Sequence, residues 1–85
     1  MTKPIVGLNH TETALFSTLR DYRNAWYEAS EKLTEENRII MLPIVDIYEK
    51  QYQQARAFVC KALNRDIRFV EGVLNGDYKI IRVEE

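Results

Sequence analysis

Apolar residues recur at alternating intervals of three and four along two stretches: Leu15, Leu19, Tyr22, Trp26, Ala29 and Leu33, then Met41, Val45, Tyr48, Tyr52, Ala55, Val59 and Ala62. An α-helix turns once in about 3.6 residues, so each set falls on one side of its helix and forms a seam that can interlock with another. The first helix has a marked beginning. Asn9 with Glu12 three residues later has the form of a capping box, in which the Asn oxygen accepts an orphan backbone N–H and the carboxylate accepts another. Thr11 competes as a cap. No Gly or Pro interrupts the stretch to about Leu33, and Glu28 with Lys32 makes a favourable i,i+4 pair.

Thr34 then reads as a second N-cap, with Glu35 and Glu36 in the first turn, where the helix dipole favours negative charge. So few residues separate the two seams that the second helix is expected to fold back antiparallel on the first. Pro43 interrupts the pattern: it lacks the N–H that would bond the Ile39 carbonyl and disfavours helical geometry at Leu42. Leu42 would be a poor cap, which predicts one bent helix rather than two. From Ile44 to about Leu63 the pattern resumes, supported by Asp46 with Lys50 at i,i+4.

The two ends of the chain are less helical in character. Pro4 and Gly7 among Ile5, Val6 and Leu8 suit an extended arm or short edge strand. From Asn64 onward two patterns compete. As a helix, Asp66 caps a short element with Ile67, Val70 and Leu74 on one side, ended by Gly76 in the left-handed position. As strands, Asn75-Gly76 is a type I′ turn joining Arg68–Leu74 to Asp77–Val83. Gly72 weakens a strand interior, which favours a short helix followed by one strand over residues 78–83. That strand is able to pair with residues 4–8.

At 85 residues with 46% hydrophobic content, the chain is expected to form one domain, 1–85, and lies outside the disordered class. Two helices alone leave each seam half wet, so either the last twenty or so residues or a second copy of the chain must cover the remainder. The formal charge is −1, unevenly spread: residues 1–49 hold five Lys or Arg against eight Asp or Glu, and residues 50–82 hold seven against three. A basic C-terminal half can face an acidic partner, nucleic acid included, although four net charges on a helical surface are more often ordinary solvation.

Cys60 is the only cysteine, which precludes an intrachain disulfide and a Cys-rich zinc site. The start of the chain has too short an apolar run for a signal peptide, and no stretch approaches the ~18 apolar residues of a membrane span. A cytoplasmic location without membrane contact is expected. The sequon Asn9-His10-Thr11 is then chemically idle.

No enzyme signature is present. His10 is the sole histidine and would need Cys60 beside it to form a nucleophilic pair. The carboxylate pairs Asp46/Glu49 and Glu28/Glu31 have no histidine at metal-ligand spacing, and the three glycines form neither a phosphate loop nor a dinucleotide fingerprint. Neither cofactor nor metal is expected.

Residues 53–76 carry a different pattern. Cys60, Asn64, Val70, Val73 and the closing Leu74-Asn75-Gly76 fall where a helix-turn-helix places a small residue, a turn residue, two branched anchors and a terminator. The segment resembles the helix-turn-helix of phage-type and sugar-operon repressors. That resemblance implies Arg65 and Arg68 as base or phosphate readers, with Arg56, Lys61 and Lys79 on the backbone. It departs from the family at Arg65, where an apolar residue is usual, and at Gly72 within the recognition helix.

The seams point to another function. Phe16, Tyr27 and Phe58 lie beside them, and aromatic residues are enriched at interface centres. The sequence therefore predicts a mainly α fold: an antiparallel helical hairpin with a kinked second helix, a short third helix, and a C-terminal strand beside the N-terminal arm. Its expected function is that of a non-enzymatic protein-interaction module, a small regulatory adaptor or inhibitor binding a protein partner and forming a homodimer through its helices. Phe16, Tyr27 and Phe58 are the interface candidates, and helix-turn-helix DNA binding is the alternative.

Overall fold

The structure is a computed structural model that describes residues 2–84. Strand β1 (Ile5–Leu8) leads into helices α1 (His10–Glu31), α2 (Arg38–Leu63) and α3 (Ile67–Asn75), and strand β2 (Lys79–Arg82) closes the order. The fold is mainly helical.

The start of α1 is the expected capping box. The Glu12 N–H donates to Asn9 Oδ1 at 2.8 Å while the Asn9 N–H donates to Glu12 Oε1 at 2.9 Å. Asn9, rather than Thr11, is the cap. The start of α2 departs from expectation. Thr34 and Asn37 bond each other: the Asn37 N–H donates to Thr34 Oγ1 at 3.2 Å and the Thr34 N–H to Asn37 Oδ1 at 2.8 Å. The Asn37 amide also donates back to the Lys32 carbonyl at 2.9 Å. Thr34 thus organises a separate turn, and Glu35 and Glu36 precede the helix. Asn37, its side chain committed backward, occupies the N-cap of α2 without capping it. Helix α2 runs through Pro43 as one element.

Asn64 ends α2 in the left-handed conformation at φ 54°, and Gly76 ends α3 at φ 79°. Asp66 accepts the Phe69 N–H at 2.9 Å and caps α3 as the sequence predicts. Asn75-Gly76 therefore terminates a helix, and the hairpin alternative is not formed.

Strand β2 pairs with β1 in parallel, Ile5 opposite Lys79 and Leu8 opposite Arg82. The Lys79 N–H donates to the Pro4 carbonyl at 2.7 Å and the Val83 N–H to the Leu8 carbonyl at 3.1 Å. Parallel strands need a long crossover, and here all three helices supply it, so the sheet ties the two ends of the chain together.

Leu8, Phe16, Leu19, Tyr52, Val59, Phe69, Val70, Val73 and Leu74 form one buried cluster, with Leu15, Trp26 and Ala55 packed against it. The two seams thus share an interior. Trp26 stacks on Tyr52 with centroids 5.6 Å apart, and Phe16 meets Phe69 edge-on at 6.4 Å. The C-terminal segment covers the seams at the Phe16 and Val59 end only. Farther along, Met41 and Val45 are half-buried while Tyr22 and Tyr48 are exposed.

Candidate functional site

Two features stand out against this frame: a polar cluster joining the three helices, and an uncovered apolar surface on α2. The cluster centres on Glu71 of α3. Its Oε1 accepts the Tyr52 hydroxyl at 2.8 Å and an N–H of Arg56, and its Oε2 lies 3.8 Å from Arg23 Nη1. Arg23, on α1, also donates to Asn75 Oδ1 at 2.7 Å and to the Leu74 carbonyl at 3.1 Å. Burial alone would raise the Glu71 carboxyl, but hydrogen bonds from Arg56 and Tyr52 and the charges of both arginines outweigh it and hold its pKa below the usual value. Burial, reinforced by bonding to Glu71 and by its charge, pushes the Tyr52 phenol up to about 12. Glu71 is thus held ionised and Tyr52 neutral around neutral pH, which is what a structural clasp requires.

Catalytic candidates are not brought together. His10 lines a groove with Thr13, Ile80, Ile81 and Arg82, while Cys60 packs against the core from α2. Burial raises the Cys60 thiol, the opposite of an activated nucleophile. Glu28 pairs with Lys32 at 3.7 Å and Asp46 with Lys50 at 3.0 Å, as the i,i+4 spacing implies. Among the described residues no group of three or more His, Cys, Asp or Glu could hold a metal ion.

The residues that the helix-turn-helix resemblance implies for nucleic acid come from α2, the α2–α3 turn, α3 and β2. Arg56 is bonded to Glu71 and lies 5.3 Å from the Tyr52 ring centre, so its charge is spent inside the protein. Arg65 lies over the Phe69 ring at 3.6 Å. Lys61, Arg68 and Lys79 are exposed on α2, α3 and β2 respectively. Helix α3 buries Phe69, Val70, Gly72, Val73 and Leu74, and its Glu71 and Asn75 turn to Arg23 and Arg56. Little of it is left to read a groove.

Among the interface candidates, Phe16 is 3% exposed and belongs to the core, where it packs on Phe69; this removes it from any surface. Tyr27 is 48% exposed and Phe58 62%. A larger apolar surface lies on the first half of α2, where Ile39 is 92%, Ile40 72% and Ile47 54% exposed. Leu42 and Ile44 are also exposed, and a groove runs along Arg38, Ile39, Leu42, Pro43, Val45, Asp46 and Glu49.

No known protein family matches the chain, and neither a curated protein nor a solved structure resembles it.

The α2 surface is a site that seam counting passes over. The signal is nonetheless in the sequence: from Ile39 to Tyr48 every residue but Asp46 is apolar or proline, so the segment is greasy on all sides. A helix apolar all round is ordinarily buried. The Arg23–Glu71 clasp left no comparable signal, because its members are far apart in the chain.

Proposed function

We propose that the protein is a non-enzymatic interaction module, a small cytoplasmic regulatory adaptor or inhibitor that self-associates through its helices. The observation that carries this is the uncovered apolar first half of α2. Contiguous exposed apolar surface on a small chain marks a binding site or an aggregation liability. The proposal includes α1 and α2 as an antiparallel hairpin bent at Pro43. It is supported by the order of residues along one side of the pair, where Lys32 and Met41 line one groove, and Tyr22 and Gln51 the next, with Ala25 and Tyr48 shared.

In this arrangement α3 and the sheet clamp one end of the hairpin and leave the other end for a partner. Tyr27 and Phe58, both exposed, are kept as candidate contacts for a protein partner other than the second copy. Among the described residues no helix is long and apolar enough to cross a membrane, so α2 is not proposed as a span. Sedimentation equilibrium from micromolar to millimolar protein is expected to show the mass climbing from one chain towards two. A single-chain mass at every concentration would remove self-association from the proposal. Parallel anisotropy titration on random duplex DNA at low salt is expected to show no binding; salt-sensitive binding would favour the helix-turn-helix alternative.

A further inference from the structure

The first half of α2 presents two neighbouring rows at i, i+4, i+8 on its uncovered side, Arg38–Leu42–Asp46 and Ile39–Pro43–Ile47, while Ile44 and Tyr48 of the next row line a groove with Ala25 and Ala29 of α1. Such rows are the ridges that fit into grooves when helices cross at about −50°, the commonest class of helix packing. The second row is wholly apolar in composition, and the first carries opposite charges at its two ends. Arg38 makes no ion pair or side-chain hydrogen bond among the described residues. Asp46 engages Lys50 through Oδ2 at 3.0 Å, and both side chains remain more than half exposed.

We infer that this surface takes a second copy of the chain, with the two α2 helices crossing antiparallel about Leu42, so that Arg38 of each copy meets Asp46 of the other. The inference rests on the interaction reading above and specifies its partner and register. Leu42 then meets its own counterpart, Ile39 and Pro43 close over the second copy's groove beside it, and one two-fold operation produces both ion pairs. A parallel pairing about the same residue would oppose Arg38 to Arg38 and Asp46 to Asp46, so the charges select the direction. Glu49 lies past the end of the second copy's helix, which begins at Arg38, beside the turn that carries Glu35 and Glu36, so like charges at that rim limit the affinity. An anionic membrane is a poorer fit, because Glu35, Glu36, Asp46 and Glu49 surround the patch against Arg38 and Lys50. From Arg38 to Tyr48 the helix is only about 16 Å long at ~1.5 Å per residue, so the contact falls at the small end of interfaces and the dimer is reversible.

Charge reversal tests the register. In Arg38→Asp alone, and in Asp46→Arg alone, both ion pairs of a homodimer become like-charge contacts, and association is expected to weaken about tenfold. Mixing the two variants restores opposite charges at both ends, so the mixture forms a heterodimer with near wild-type affinity. Sedimentation or fluorescence energy transfer between labelled variants reads this directly, and circular dichroism checks that each variant stays folded. A mixture no tighter than either variant alone, while the wild type still dimerises, overturns the register and leaves the interaction reading standing. A wild type that never associates overturns the register and removes self-association from the proposed function.

Discussion

Glu71 shows how one side chain can fix the relative positions of three helices. Its carboxylate takes hydrogen bonds from Tyr52 and Arg56 and faces Arg23, so replacing it leaves two guanidinium groups in a half-buried site without their counter-charge. Glu71→Gln is expected to lower stability by about 1–3 kcal/mol in denaturant unfolding near neutral pH. The pH dependence follows from the sign of the shift. Because the folded pKa lies below the usual value, the stabilisation is complete above the unfolded carboxylate pKa and is lost as pH falls through the folded one. Wild type and Glu71→Gln should therefore converge in stability as the pH drops below about 4; a constant difference across that range would refute the coupling. Capping residues such as Asn9, Glu12, Asp66 and Gly76 were legible from sequence because their partners lie within a turn. Glu71 was not, since its partners lie on helices whose packing no local pattern encodes.

Helix α3 illustrates the same limit at the scale of an element. Gly72 looks like a weak point in a nine-residue helix, yet it serves the packing: a Cβ there would lie 2.6 Å from Tyr78 Cε2. The missing side chain lets the Tyr78 ring, which also packs 5.4 Å from Phe69, seal α3 against solvent just before β2. Gly72→Ala is expected to cost about 1–2 kcal/mol despite the better helix propensity of alanine. In a Tyr78→Ala background the clash is gone, and the same change should become neutral or stabilising by up to ~1 kcal/mol. An equal penalty in both backgrounds, measured by denaturant unfolding, would locate the cost elsewhere. The start of α2 departs from the sequence pattern for a similar reason. Thr34 had the right chemistry for a cap, but Asn37 bonds back to Thr34 and Lys32 and holds the chain in a turn until Arg38.

For the whole molecule, the period of the seams conveyed that two long helices share a core, and Leu19, Trp26, Tyr52 and Val59 do meet there. What period alone did not convey is how far the cover extends. Helix α3 and the sheet reach only one end of the paired helices, leaving Ile39, Ile40, Leu42, Ile44 and Ile47 open at the other. Because seams are found by their contrast with a polar face, a segment apolar on every side loses contrast and passes as ordinary seam. Phe16 reads as a surface residue from sequence for the complementary reason: it lies beside the α1 seam, on a flank that α3 reaches to cover.

The most direct test of the central claim, that this chain works through the bare first half of α2, is a dilution series of amide NMR spectra on the isotope-labelled protein. Concentration-dependent shifts and broadening are expected to be confined to residues 38–49 and their immediate neighbours on α1, with 64–82 unmoved. Spectra that do not change with concentration, or changes centred on Arg65, Arg68 and Lys79, would contradict it.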